Sequence, residues 1–198
     1  MLVIERMSTT PVSITGNLTV TQALEVIERR NVHHLPVVND RGALVGIITE
    51  RDLLRAKGDE VVENLMERRV ITVTEYTPLE NAARIMADHK IGSLPVVRDG
   101  KLVGIITQTD LFKVFLELLG AREPGVRLTM LVPEERGILA KLTAEIAELG
   151  GNILALSTFM GEDPTNRIIT VKVEHVSQEK LVAIMEAVGM EIVDVREA

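Results

Sequence analysis

The sequence predicts an α+β (α/β) protein: a duplicated β-α-β-β-α unit followed by a β-α-β-β-α-β unit. Three observations predict it. A nine-residue stretch occurs twice, as LVGIITERD from Leu44 and as LVGIITQTD from Leu102. It belongs to a longer repeat, in which Met7 aligns with Met66, Ala23 with Ala82 and Leu35 with Leu94, an offset of 59 each time. Such a period is too long for a solenoid unit and suits a duplicated small domain. Beyond Gly120-Ala-Arg-Glu-Pro-Gly125, where glycine and proline bracket a break, the pattern changes. The expected boundaries are 1–57, 61–119 and 126–198, with Lys57-Gly-Asp-Glu60 linking the copies.

Each copy opens with a short strand, Val12–Thr15 or Ile71–Thr74. A helix follows. Thr19-Val-Thr-Gln22 reads as a capping box for one that runs to about Arg30. Thr77-Pro78-Leu79-Glu80 reads as another, with proline at the first helical position. Two apolar strands come next, Leu35–Val38 and Leu44–Ile48, joined by Asn39-Asp-Arg-Gly42; the second copy uses the shorter Arg98-Asp-Gly100. Asp-Gly between apolar runs signals a hairpin. Arg41 is the one extra residue, and fourteen residues of Leu35–Leu53 match the second copy. A helix near Asp52 or Asp110 ends each copy. The segment Phe112–Leu119 is apolar at helical spacing, which favours core packing, with a dimer contact as the alternative. In the last unit, strands are expected at Val126–Val132, Asn152–Phe159, Arg167–Val173 and Met190–Val195. A helix spans Gly137–Leu149 with Leu139, Leu142, Ile146 and Leu149 on one face, and Gly150-Gly151 stops it. Ser177 caps a second helix that ends at Gly189. Both helices would cover one face of an antiparallel sheet.

Composition excludes several functions. Of 198 residues 46% are apolar, enough for compact cores. No apolar run reaches the roughly 18 residues of a membrane span. The start, MLVIERM, is too short and too charged for a signal peptide. Cysteine is absent, so thiol chemistry and disulfides are excluded, and a cytoplasmic location is expected. A net charge of −7 disfavours nucleic-acid binding, and four aromatic residues (Tyr76, Phe112, Phe115, Phe159) make no stacking platform.

The repeated Gly-Ile-Ile-Thr-x-x-Asp has two readings. Glycine lets a neighbour approach closely, and the isoleucines bury the strand. Thr49-x-x-Asp52 and Thr107-x-x-Asp110 fit a helix cap worth about 1 kcal/mol each. A helix N-terminus also attracts phosphate, a threonine hydroxyl can donate to it, and an aspartate can accept from ribose hydroxyls. The pair can therefore hold a ribose phosphate, and a ligand can displace the cap. Arg51 can add a guanidinium to a phosphate or be a solvated helix residue. His33 and His34, adjacent on a strand, point to opposite faces and do not share a metal. His89 and His175 have no ligand-spaced partner, and no metal site is expected. Neither a glycine-rich phosphate loop nor a plausible Ser-His-Asp set is present, so no catalysis is expected.

The twice-present "LPVV…DG.LVGIIT..DL" resembles a tandem pair of CBS domains, a Bateman module, over roughly Met1–Leu119. The stretch "VRLTMLVPEERGILAKLTAEIAELGGNI" is similar to an ACT domain, which has a ferredoxin-like fold. The order CBS–CBS–ACT resembles the acetoin utilisation protein family. The resemblance implies that Thr49, Asp52, Thr107 and Asp110 contact the ribose and phosphate of an adenine nucleotide: AMP, ADP, ATP or S-adenosylmethionine. It implies an adenine pocket at Val12, Val32 and His34 in copy one, and at Ile71, Ile91 and Ser93 in copy two. Each pocket would be completed by the Thr/Asp pair of the opposite copy, and the size difference between His34 and Ser93 makes the two unequal. In the ACT-like part, Gly137, Ile138 and Asn152 are the implied amino-acid contacts, though Arg136 alters the usual acid-x-Pro-Gly arrangement; dimerisation alone is the other reading. The expected protein is a non-catalytic, homodimeric regulator of an unknown metabolic enzyme or regulator. The alternative is an interaction scaffold that binds no small molecule.

Overall fold

The computed structural model describes residues 1–56 and 60–198. Of the expected linker Lys57–Glu60, residues 57–59 lie outside the described residues. The chain divides into two compact units, Met1–Phe112 and Lys113–Ala198.

A 3-10 turn at Val3–Glu5 opens the first unit. Helix α1 (Val20–Arg30) buries Val20, Ala23 and Ile27, a spacing of three and four that forms one helical stripe. Its expected box is present: Gln22 N donates to Thr19 Oγ1 at 3.3 Å, and Thr19 N donates to Gln22 Oε1 at 3.0 Å. Strands β1 (His34–Val38) and β2 (Leu44–Thr49) form an antiparallel hairpin, and α2 (Glu50–Arg55) follows. The extra Arg41 is accommodated by Asn39, whose Oδ1 accepts from the Arg41 and Ala43 amides, both at 3.0 Å. A short α3 (Val62–Leu65) precedes α4 (Leu79–His89). Strands β3 (Ser93–Arg98) and β4 (Lys101–Thr107) repeat the hairpin in the same register, with Asp99 and Gly100 both at positive φ as a type I′ turn requires. Helix α5 (Gln108–Leu118) then runs across the division between the units.

Three expectations fail here. The segments Val12–Thr15 and Ile71–Thr74 are not full strands. Each makes one parallel bridge, Ile14 to Val37 and Val73 to Val96, around a single residue. Thr77 does not cap α4, because its Oγ1 is taken by the Thr74 amide at 3.1 Å; Pro78 is the capping residue and has no side-chain acceptor. The Leu79 amide donates instead to Met1 O at 3.2 Å. The apolar stripe of α5 is not core: Phe112, Phe115 and Leu118 are exposed and Val114 alone is buried.

The repeats exchange their leading segments. Glu60 to Glu67 belongs to the second repeat but bonds to the first: Val62 N donates to Leu18 O, and Ile47 and Glu67 bond reciprocally. Val62 and Met66 join the first repeat's core of Ile27, Leu35, Val37 and Ile48. Conversely, Val3 N donates to Thr77 O, and Ser8 and Ile105 bond reciprocally. Repeat-equivalent pairs therefore make equivalent bonds, so the unit has pseudo-twofold symmetry. The repeated glycines make room for the exchanged methionines. A Cβ on Gly46 would lie 2.4 Å from Met66 Sδ, and one on Gly104 would lie 2.6 Å from Met7 Sδ.

In the second unit, β5 (Val126–Pro133), α6 (Ile138–Glu148), β6 (Asn152–Met160), β7 (Asn166–Glu174), α7 (Gln178–Ala187) and β8 (Glu191–Glu197) follow the expected β-α-β-β-α-β order. The sheet is antiparallel with strand order β6-β7-β5-β8. Both helices pack on one face of it: Ile138, Leu142, Ile146, Leu181 and Met185 meet Leu128, Met130, Ile169 and Val171. Two details differ from expectation. Leu139 is 39% exposed, and Ile138 takes its place in the buried stripe. Ser177 stands at the cap of α7 but makes no side-chain bond to it. Among the described residues, no helix is long and apolar enough to cross a membrane.

Candidate functional site

Hairpin register sets the site. His34 stands opposite Thr49 at the open end of one hairpin, and Ser93 stands opposite Thr107 at the open end of the other. Each strand passes at that threonine into a helix whose first turn closes a box. Thr49 N donates to Asp52 Oδ2 at 3.1 Å, Thr49 Oγ1 donates to the same oxygen at 2.5 Å, and Asp52 N donates back to Thr49 Oγ1 at 3.3 Å. Thr107 and Asp110 make the same three bonds at 3.0, 2.7 and 3.3 Å. The capping reading is thus realised in both copies. Two of the first amides of each helix are also engaged: Glu50 N donates to His33 O and Gln108 N to Gly92 O, while Asp52 and Asp110 donate to their threonines. The expected phosphate attraction by free helix amides is therefore reduced, and α2 has only six residues to build a dipole.

A cavity of about 620 Å³ opens between the repeats, within the range of small-molecule sites. The first repeat contributes His34, Ile47, Thr49 and Arg51 to its lining, and the second contributes Ile71, Ile91 and Ser93. Six expected residues are thereby brought together. His34, expected with Thr107 and Asp110, lines the cavity of Thr49 instead, because it is the cross-strand neighbour of Thr49. Val12, Val32, Asp52, Thr107 and Asp110 are not among the lining residues. Val12 borders a separate surface depression with Pro11 and Arg29. Sequence reasoning missed Glu67, at the end of the exchanged segment, and Arg69 and Val70 just after it, all of which line the cavity. It also missed Lys90 and His89 at the end of α4.

The lining is apolar at Ile47, Val70, Ile71, Ile91 and Pro95 and charged at Glu50, Arg51, Glu67, Arg69 and Lys90. Ser93 is 4% exposed, and its Oγ has no hydrogen-bond partner. A buried hydroxyl without a partner carries a desolvation cost that a bound polar group relieves. Burial holds the His34 pKa below its ordinary value; the neighbouring His33 adds to this and Asp52 opposes it. His34 is therefore neutral near pH 7 and offers the cavity a hydrogen bond rather than a charge. His33 is turned to Glu50, with Nδ1 2.7 Å from Oε2. Among the described residues no cluster of His, Cys, Asp and Glu could hold a metal ion.

The ACT-like candidates are not brought together. Gly137, at φ +88, and Ile138 start α6, whereas Asn152 lies beyond its other end. The 11-residue helix separates them by roughly 16 Å at about 1.5 Å per residue. Asn152 Nδ2 donates instead to Glu174 Oε1 at 2.6 Å.

Residues 3–59 and 62–117 match the family model of the CBS domain, and the chain belongs to that family. Over 117 residues it is 35% identical to an L-aspartate semialdehyde sulfurtransferase of Methanocaldococcus jannaschii, covering 58% of this chain and 23% of that protein. The chain thus spans about a quarter of that relative. The CBS domain pair of protein MJ0100, crystallised with 5′-methylthioadenosine and S-adenosyl-L-methionine, is 35% identical at a TM-score of 0.56, covering 58% of this chain and 99% of that one. A putative acetoin utilization protein (AcuB) from Vibrio cholerae is 32% identical at a TM-score of 0.57, covering 62% of this chain and 96% of the other. CBSX2, crystallised with AMP, is 32% identical at a TM-score of 0.54, covering 58% and 96%.

Proposed function

We propose that this chain is a non-catalytic regulatory protein that binds an adenine nucleotide between its CBS repeats and signals occupancy to a metabolic partner. One observation carries the reading: a cavity lined by both repeats, in whose wall the second repeat places Ser93, a residue with a buried, unpartnered hydroxyl. The adenosine ligands of MJ0100 and CBSX2 support it. In this reading the adenine lies among Ile71, Ile91 and Val70, and Thr49 faces the ribose phosphate. Asp52 releases Thr49 from the cap when ligand enters, at a cost of about 1 kcal/mol. Thr107 and Asp110 serve the repeat-related position, with Val12 and Val32. The repeats, 1–57 and 61–119, form the sensor, and 126–198 is an ACT-like dimerisation domain in a cytoplasmic homodimer. Amino-acid binding at Gly137, Ile138 and Asn152 then requires a second copy to bridge the length of α6. The likeness to AcuB favours acetoin or acetyl-CoA metabolism as the setting.

Calorimetric titration with AMP, ADP, ATP and S-adenosylmethionine tests the reading, on protein shown to carry no co-purified nucleotide. Saturable binding is expected, and ligand at about 100 times its dissociation constant stabilises the fold by about 2.7 kcal/mol. If none of the four binds, the repeats are an interaction scaffold whose Thr-x-x-Asp is a helix cap alone.

A further inference from the structure

The distribution of charge around the cavity is lopsided. Arg51, Arg69 and Lys90 reach its lining from three different segments. Among the described residues none of the three is paired with a carboxylate, whereas Arg68, Arg84, Arg98, Arg127, Arg167 and Arg196 are. The two carboxylates in the lining are both engaged: Glu50 accepts from His33, and Glu67 Oε1 accepts from the Arg69 amide at 2.6 Å. Lys90 ends α4 at φ +54, a left-handed position where the first repeat places Asn31. Asparagine tolerates that conformation better than lysine does, so conformational preference does not explain the lysine.

The position related by the pseudo-twofold lacks this arrangement. Where the cavity has Arg51, Arg69 and Lys90, the equivalent positions hold Thr109, Thr10 and Asn31. Arg30, in place of His89, is the one cation there. Where the cavity has Ser93 the equivalent is the imidazole of His34, which packs so closely on Gly92 that a Cβ there would lie 3.0 Å from Nε2.

The geometry points to a nucleoside di- or triphosphate as the ligand of this cavity, bound once per chain, with Arg51, Arg69 and Lys90 on the phosphates and Ser93 in the wall beside the nucleoside. The inference rests on the nucleotide reading above and adds the ligand class and the stoichiometry. A sulfonium ligand such as S-adenosylmethionine brings a positive charge toward three unpaired cations and is disfavoured. A monophosphate offers one group and about two negative charges to cations that come from three segments, whereas a di- or triphosphate offers each of them its own phosphate.

Titration of the full chain with ATP, ADP, AMP and S-adenosylmethionine in one buffer separates the possibilities. ATP and ADP are expected at one site per chain, about tenfold or more tighter than S-adenosylmethionine, with affinity falling as salt rises. Arg69→Ala and Lys90→Asn should each weaken ATP by about tenfold and AMP by much less. Lys90→Asn is the safer variant for folding, because asparagine already serves in the first repeat; an unchanged melting curve checks it. Arg30→Ala should leave ATP affinity unchanged. S-adenosylmethionine binding as tightly as ATP, two equal sites per chain, or ATP affinity indifferent to both variants would each overturn the inference while leaving the nucleotide reading standing. Failure of all four ligands removes the nucleotide reading itself.

Discussion

Glu75 shows how one residue couples the stability of the second repeat to acidity. It is 5% exposed and accepts two hydrogen bonds from Arg98, Nε to Oε2 at 2.8 Å and Nη2 to Oε1 at 2.5 Å. These bonds hold its pKa below the ordinary carboxylate value, against the opposing effect of burial. A carboxylate with a lowered folded pKa contributes stability that is present above its unfolded pKa, about 4.3, and is lost as pH falls through the folded value. Wild type should therefore melt above Glu75→Gln at pH 7, and the gap should close as pH drops below about 4. A gap that persists undiminished to pH 3 would show that charge is not the cause. The pairing joins residues 23 positions apart and no motif announces it. The Thr49–Asp52 box joins residues three positions apart and is legible in the sequence, because a cap is made entirely by its own turn.

At the scale of the element, periodicity located every helix longer than one turn and the hairpin strands, and it erred where a local signal met a competing partner. Thr77 looked like a cap until Thr74, three residues back, took its hydroxyl. Leu139 fits a three-and-four stripe with Leu142 and Ile146; a step of four back from Leu142, rather than three, places Ile138 inward. The two leucines of α6 should accordingly separate in mutagenesis. Leu142→Ala should cost about 2–5 kcal/mol, and Leu139→Ala within about 0.5 kcal/mol, both read from denaturant midpoints. Equal costs would place Leu139 in the core after all. The α5 stripe misled for another reason: apolar spacing reports a sticky face, not what covers it, and Phe112, Phe115 and Leu118 remain exposed on this chain.

At the scale of the molecule, the exchange of leading segments decides how the first unit holds together. Val3 and Val62 are repeat equivalents and both are fully buried, each bonded into the other repeat. Val3→Ala and Val62→Ala should each destabilise the first unit by about 2 kcal/mol. If the repeats were independent, Val62→Ala would disturb only its own repeat. Hydrogen exchange decides the point: Val62→Ala is expected to loosen the amides of β1 and β2 more than those of β3 and β4.

The sequence by itself determined the duplication, the α-β-β-α order within each repeat, the β-α-β-β-α-β order after them, the hairpin turns and the Thr-x-x-Asp boxes. Each is written in spacing over a few residues, where backbone geometry and capping act. It also named Thr49, Arg51, Ile71, Ile91 and Ser93 as site residues, and these meet in one cavity. Only the tertiary structure decided that His34 joins them, that Glu67 at the end of the exchanged segment lines the cavity with Arg69 and Val70 after it, and that Lys90 lines it from the end of α4. Those placements depend on pairings between residues tens of positions apart, such as Ile47 with Glu67 and Ser8 with Ile105. Local periodicity carries no record of such pairings, because burial rewards an apolar residue without specifying which repeat receives it.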